Sequence, residues 1–400
     1  MPLFLLPHFR FAGGGKAEQI LDTRDILAKL IGFDTVSARP NRELILWVVD
    51  LLAGAGIPAV VIPDATGHKA NLYATVGGGP GVLLSGHTDV VPVEGQAWTH
   101  PPFALTEADG RYHGRGACDM KGFVACALSA MLKAADRPLR TPLHLALSHD
   151  EEVGCIGVAS LIDLLAAAPF RPLMCIVGEP TGMQVATGHK GKIGIRATFT
   201  GREGHSALAP LALNALHLGV DFVNVVRALQ GRIEATGARD GDYDVPYTTL
   251  HVGRLQGGGP LNIVPNLCEV DYEVRNLAQD DGDALMGELA AAARRIVAAT
   301  GAPEAGVSFA DLMRYPGLGT PTDARVVRFV QSLTGANTTM KVAFGTEGGL
   351  FSARLGIPTV ICGPGSMAQG HKPDEWVSIE QMARCEAMLE ALLGRLEAGL

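Results

Sequence analysis

The stretches GVLLSGHTDVVP (81–92), PLHLALSHD (142–150) and PLMCIVGEP (172–180) are apolar at most positions and then pass directly into histidines or acids. A strand wetted on one face alternates apolar and polar residues, so runs of this kind read as strands covered on both faces. The segments between them supply the cover. AEQILDTRDILAKLIGF (17–33), RELILWVVDLLAGAG (42–56), GFVACALSAMLKAA (122–135) and GVASLIDLLAAA (157–168) carry apolar residues at helical spacing. With the short runs IPAVVIP and NLYATVG added, the first half alternates strand and helix, which predicts an α/β fold with a mixed, largely parallel sheet flanked by helices.

The pattern changes near Gly188. KIGIRATFTGREGHSA alternates with a period of two, as an antiparallel strand with one wet face does. A helix-compatible segment over about 208–230 follows, then the strand patterns YTTLHVGRLQGG and NIVPNLCEVDYEVRN, then a helix over 283–300. This predicts an α+β domain inserted into the first. After Ala302 the α/β character returns, with RVVRFVQSLTG and SIEQMARCEAMLEALLGRLEAG as helices around the strand TVICGPG. The expected division is therefore 1–188, an insertion over 189–302, and 303–400 completing the first domain. There is no internal repeat.

Composition narrows the classes of partner. A content of 47% hydrophobic and 18% charged residues in 400 supports a globular chain of more than one core. The net charge of −8 comes with no basic stripe and no aromatic–basic interleaving, which argues against nucleic acid. Seven cysteines stand singly with no CxxC pair, as free thiols in a reducing compartment do. The start MPLFLLPHFRFAGGGK is broken by Pro2, Pro7, His8 and Arg10 and lacks a basic leader, so it reads as a disordered extension rather than a signal peptide. No run reaches the roughly 18 apolar residues that span a bilayer. The expectation is a cytoplasmic protein without membrane association.

Open α/β sheets bind ligands at the carboxyl ends of their strands. Here those ends and the loops after them carry His87 and Asp89, Asp119, the triplet Asp150, Glu151 and Glu152, Glu179, and His371. A lone histidine means little, because most are surface or satisfied core residues. Two imidazoles with several carboxylates on one rim are the donor set of Zn²⁺, Co²⁺ or Mn²⁺. Adjacent acids also repel one another, so SHDEEVG calls for positive charge beside it.

The motifs SGHTDVVP, GRGACDMKGF, DEEVG, VGEPT, GHKG, GHSA, NIVPN, FGTEGG and GPGSMAQGHKPDE stand in this order from about residue 80 to 375. With them the chain resembles the dinuclear zinc amidohydrolases and peptidases, the family of acetylornithine deacetylase, succinyl-diaminopimelate desuccinylase, aminoacylase and glutamate carboxypeptidase. The resemblance is strongest to the acetylornithine deacetylase branch. It implies a zinc-peptidase-like catalytic domain with an inserted dimerisation or lid domain, and two Zn²⁺ per subunit, with Co²⁺ as a possible substitute. His87 and Glu179 would hold one ion, Glu152 and His371 the other, and Asp119 would bridge them. The peptide after Asp119 is commonly cis in such proteins. Asp89 would orient His87, and Glu151 would be the general base. Asp150 would be structural, and Cys118 would pack beside Asp119.

On the substrate side the resemblance makes His205 a donor to the partner subunit's active site, which implies a homodimer through the insertion and a closing motion. It places Asn262 near the substrate, Arg275 on a substrate carboxylate, and Glu347 opposite the cationic end of an amino acid. Lys190 and Lys192 give no clear substrate signal. The implied reaction is hydrolysis of an N-acyl-amino acid, N-acetyl-L-ornithine first, as in arginine biosynthesis. Succinyl-diaminopimelate, other acyl-amino acids and dipeptides are alternatives within the family. A non-catalytic metal-binding regulator is the alternative outside it, and Glu151 argues against that, since a binder needs ligands but no base.

Overall fold

The computed structural model describes residues 21–400, so the N-terminal extension and the first part of the 17–33 helical run lie outside the described residues. The chain forms two compact units. One comprises the residues up to Val185 with 322–339 and 354–400, the other 186–321 with 340–353.

The first unit opens with α1 (Thr23–Ile31) and α2 (Arg42–Gly54). The Asp22 side chain accepts the amide of Asp25 and so starts α1. Strands β1 (Ala59–Pro63), β2 (Ala70–Val76) and β3 (Val82–His87) follow, then the short β4 (Thr106–Ala108) and β5 (Arg111–His113), and then α3 (Lys121–Ala135). The run continues through β6 (Leu143–Ser148), α4 (Val158–Ala167) and β7 (Met174–Pro180).

The second unit begins around β8 (Val185–His189) and continues with β9 (Lys192–Thr200), β10 (Gly204–His205), α5 (Ala215–Thr236), β11 (Thr249–Gly257), β12 (Ile263–Val264), β13 (Leu267–Arg275), α6 (Gly282–Ala299), β14 (Gly306–Tyr315) and β15 (Leu318–Gly319). α7 (Arg325–Thr334) returns to the first unit, while β16 (Thr339–Val342) and α8 (Gly348–Leu355) fall largely in the second. β17 (Thr359–Gly363), β18 (Trp376–Ser378) and α9 (Ile379–Ala398) complete the first.

In the first unit the strands lie in the order β1-β2-β6-β3-β7-β17. β3 pairs parallel with both β6 and β7, and β7 parallel with β17; β1–β2 and β2–β6 are antiparallel. Every residue of β3, β6, β7 and β17 is buried, as their unbroken apolar character requires. α3 is buried almost all round and lies close enough to β7 that a Cβ on Gly178 would sit 1.9 Å from the Phe123 ring. Because these strands run in parallel, their carboxyl ends meet on one rim. His87 lies opposite Ser148, the last residue of β6, two residues before the triplet of acids.

The second unit contains a four-stranded antiparallel sheet, β11-β13-β9-β14, with α5 and α6 against it. Two details differ from the sequence reading. The helix expected over about 208–230 starts later than its apolar spacing suggests: Ser206–Leu211 is a 3₁₀ segment holding Pro210, and α5 begins only at Ala215, where Asn214 caps it by accepting the Leu216 amide at 2.9 Å. β14 pairs with β9, so the antiparallel sheet takes in residues beyond 302. No described helix is long and apolar enough to cross a membrane.

Candidate metal centre

The acids and histidines singled out from the first and third stretches gather at the carboxyl ends of β3, β6, β7 and β17, within the first unit. His87 is the last residue of β3, and Glu179 lies in β7. Asp119 immediately precedes Met120, the N-cap of α3, and the Asp119–Met120 peptide is cis. Glu151 and Glu152 occupy the loop after β6, and His371 the loop after β17. His87, Asp119 and Glu179 are buried, Glu151 and Glu152 half-buried, and the His371 side chain is 45% exposed.

The geometry converges on Asp119. Its Oδ1 lies 3.1 Å from His87 Nε2, and its Oδ2 lies 3.0 Å from His371 Nε2. Glu179 is 3.7 Å from His87 Nε2, and Glu152 is 3.1 Å from His371 Nε2. Donor atoms of His87, Asp119 and Glu152 lie within 4.8 Å of one another, and so do those of His87, Glu151 and Glu179. Glu151 thus stands among the donors, where the sequence reading kept it apart from them. Its Oε1 also accepts from the Cys155 thiol at 3.2 Å.

Burial disfavours charge throughout this cluster, and the pairings decide where protons go. Against burial, hydrogen bonds to Asp119 and Asp89 hold the His87 pKa well above its usual value. Hydrogen bonds to Asp119 and Glu152 raise His371 to about 10. Asp119, against burial, is held below the usual carboxylate range by His371 and His87. Burial, then the charge of Asp119, pushes Glu179 well up and Glu152 to about 7. The carboxylates therefore draw protons onto the imidazoles and onto one another, which is the behaviour of a site built around positive charge. The donor set fits divalent cations, and Asp119 turns one oxygen to each imidazole as a shared carboxylate must.

The surrounding bonds fix this arrangement. His87 Nδ1 donates to the main-chain carbonyl of Asp89 at 2.9 Å, with the Asp89 carboxylate at 3.5 Å, so Nε2 is the atom turned to the acids. The Asp89 carboxylate takes the Ser37 hydroxyl at 2.7 Å and the amides of Glu151 and Glu152 at 3.1 and 3.3 Å. Its principal grip is on the loop of acids rather than on the imidazole. Asp150, held at a φ of 57°, accepts from Lys69 Nζ at 2.5 Å, and the same ammonium donates to the Ser37 carbonyl at 2.5 Å. Glu375 accepts the amides of Cys118 and Asp119 at 2.9 and 3.0 Å and pairs with buried Arg115 at 2.6 Å. Ser37, Lys69, Arg115 and Glu375 escaped the sequence reading. The last two stood in view only as a cation and an acid inside GRGACDMKG and GHKPDE.

The substrate-side residues all belong to the second unit. His205 and Asn262 come together there: His205 pairs with Ile263 on a two-stranded ribbon, and the Asn262 carbonyl accepts the Ser206 amide at 2.9 Å. Both are exposed. Arg275 is turned onto its neighbours, donating to Glu273 at 2.9 Å and to the Tyr315 hydroxyl at 2.8 Å. Lys192 joins Glu273 at 3.1 Å, and Lys190 donates to the Val245 and Tyr247 carbonyls. Glu347 is buried at the start of α8, where its carbonyl accepts the Leu350 and Phe351 amides.

Parallel strands of a mixed sheet whose ends gather histidines and acids around a shared aspartate fit a metal-dependent hydrolase, and the chain belongs to peptidase family M20/M25/M40, whose model matches residues 83–395. It is thereby a hydrolase of amide bonds. The chain is 36% identical over 373 residues to the acetylornithine deacetylase of Myxococcus xanthus, covering 92% of this chain and 95% of that one. It is 31% identical over 370 residues to the acetylornithine deacetylase of Pasteurella multocida, covering 90% and 92%. Among solved structures, an M20 family metallo-carboxypeptidase from Sulfolobus solfataricus superposes with a TM-score of 0.73 at 19% identity, covering 94% of this chain and 99% of that one. A dinuclear metal binding peptidase of the same family from Bacillus subtilis gives 0.67 at 14%, covering 93% and 96%.

Proposed function

We propose that this protein removes the acyl group from an N-acyl-amino acid, N-acetyl-L-ornithine before others, releasing acetate and L-ornithine. The observation that carries the reading is Asp119, with one carboxylate oxygen turned to His87 and the other to His371. His87 and Glu179 would hold one divalent ion and Glu152 and His371 a second, with Asp119 offering an oxygen to each. Such ions would supply Lewis acidity toward the scissile carbonyl and would lower the pKa of a water. Glu151 takes the proton from the attacking water and delivers it to the departing amine. Asp89 and its bonds to the two amides keep Glu151 and Glu152 in place while it does so. The names of the relatives at 36% and 31% identity support ornithine as the amine product.

In the same reading the protein is a homodimer, His205 serves the partner subunit's site, and Asn262, exposed on the same ribbon, lies near the substrate. Mixing Glu151→Gln chains with His205→Ala chains tests this, because only a shared site restores activity in the mixed dimer. Substrate is tested by comparing kcat/KM on N-acetyl-L-ornithine, succinyl-diaminopimelate, N-acetyl-L-methionine and dipeptides. Preference for N-acetyl-L-ornithine is expected, and a higher value for a dipeptide would replace deacylation with dipeptidase activity. Chelation should abolish turnover, and Zn²⁺ or Co²⁺ should restore it.

A further inference from the structure

Gln96 stands between two loops that carry candidate ligands. Its amide oxygen accepts from Arg115 Nη2 at 2.6 Å and from Trp98 Nε1 at 3.0 Å, and its amide nitrogen donates to the main-chain carbonyl of His371 at 3.0 Å. The orientation of the amide follows from its partners. A guanidinium and an indole N–H only donate and a peptide carbonyl only accepts, so one placement of O and N satisfies all three.

Arg115 continues the chain of bonds. It is 1% exposed, lies with its guanidinium 4.9 Å from the Trp98 ring centre, and pairs with Glu375, which is equally buried. Glu375 in turn accepts the amides of Cys118 and Asp119. A continuous path therefore runs from the amide of Asp119 through Glu375, Arg115 and Gln96 to the carbonyl of His371. Next to it Asp374, in the loop of His371, accepts the amides of Thr99 and His100, tying that loop a second time to the loop of Gln96.

A buried ion pair is weak evidence for stability, because desolvating both charges offsets most of their attraction. What this pair holds is the more informative fact. Its acid grips the backbone at the shared aspartate, and its base, through Gln96, grips the backbone at His371. His371 needs the anchor: its φ is 60°, outside the range a histidine prefers, and its side chain is half in solvent.

We infer that Gln96, Arg115 and Glu375 are positioning residues that set the placement of His371 relative to Asp119, and that Gln96 governs the ion site of Glu152 and His371 in particular. The inference rests on the two-ion reading proposed above. Gln96 makes no bond to Asp119, His87 or Glu179, so its loss should weaken one ion and spare the other.

The test uses the full chain stripped with a chelator and titrated with Zn²⁺ against a chromophoric competitor, with Co²⁺ absorption as a second readout. Gln96→Glu is nearly isosteric. It still accepts from Arg115 and Trp98, and loses only the donation to His371. Gln96→Ala removes all three bonds. Both variants should keep one Zn²⁺ at wild-type affinity and bind the second tenfold to a hundredfold more weakly. Their thermal midpoints should stay within a few degrees of wild type. Two ions bound at wild-type affinity in both variants would overturn the inference, and so would equal weakening of both ions. A wild-type chain that binds fewer than two Zn²⁺ overturns the two-ion reading itself, and the inference with it.

Discussion

The carboxylate of Asp89 accepts the amide of Glu151 at 3.1 Å, and its second oxygen accepts the amide of Glu152 at 3.3 Å. One acid thereby fixes the backbone of two others whose side chains must diverge, one toward a proton and one toward a cation. Against burial, the hydrogen bonds from His87 and from Ser37 keep Asp89 below the usual carboxylate range, so it stays an acceptor. Asp89→Asn turns an amide nitrogen toward one of the two main-chain donors. We expect kcat on N-acetyl-L-ornithine to fall by roughly 10- to 100-fold with the fold intact, the size typical of losing a ligand's supporting bond. Steady-state kinetics with circular dichroism checks it, and wild-type kcat would show the loop of acids to be held by other means.

Glu151→Gln separates proton transfer from ion binding. Gln keeps the shape and cannot take a proton, so turnover should drop by about 10²- to 10⁴-fold or more, the range general bases supply. Metal content per chain should be unchanged. Because a Glu151 oxygen lies within 4.8 Å of the donors of His87 and Glu179, the measurement also decides whether this acid is a ligand. Loss of one ion along with activity would reassign it.

The ligand rim was legible in the sequence because apolar runs buried on both faces end where their polar residues begin. His87 closes β3 and Glu179 lies near the end of β7 for that reason. The antiparallel β9 was legible from its period of two. β14 was not, because GVSFADLMRY mixes half-exposed apolar and polar positions and acquires its meaning only from its partner β9. The start of α5 is not legible because apolar spacing runs on through Pro210, and the turn chemistry of Asn214 outweighs it. Arg115 and Glu375 were out of reach for another reason. Their pairing spans 260 residues, and no local pattern marks an ion pair whose halves are so far apart.

Lys69 joins the Ser37 carbonyl to Asp150, and Ser37 in turn donates to Asp89. The Lys69 and Asp150 side chains are 19% and 11% exposed, so the pair is partly shielded, with His149 Nδ1 3.0 Å from the other Asp150 oxygen. Lys69→Met takes the ammonium from a shielded carboxylate whose own residue sits in left-handed backbone. Stability should fall by about 2–4 kcal/mol, toward the cost of breaking a buried pair. Lys69→Arg should recover most of it. Urea unfolding of both variants measures the difference, and kcat of Lys69→Met should fall with it because the acid loop loses an anchor.

His144 provides a pH test away from the metal centre. It is buried on β6, Nδ1 lies 2.9 Å from the Tyr73 hydroxyl, and Nε2 lies 3.1 Å from the Gly79 carbonyl. The neutral ring satisfies both, donating from Nε2 and accepting at Nδ1. Burial lowers its pKa to about 4 from 6.5. The unfolded chain therefore takes up a proton as pH drops below about 6.5, while the folded chain resists until about 4. The stability held by the neutral ring is complete above the unfolded value and is lost as pH falls across that window. Between pH 7.5 and 5 the loss is about 2 kcal/mol for this one group. His144→Gln abolishes the titration, so its unfolding free energy should change by about 2 kcal/mol less than wild type over the same interval. Equal pH dependence in the two proteins would show that the folded ring takes up its proton as readily as the unfolded one.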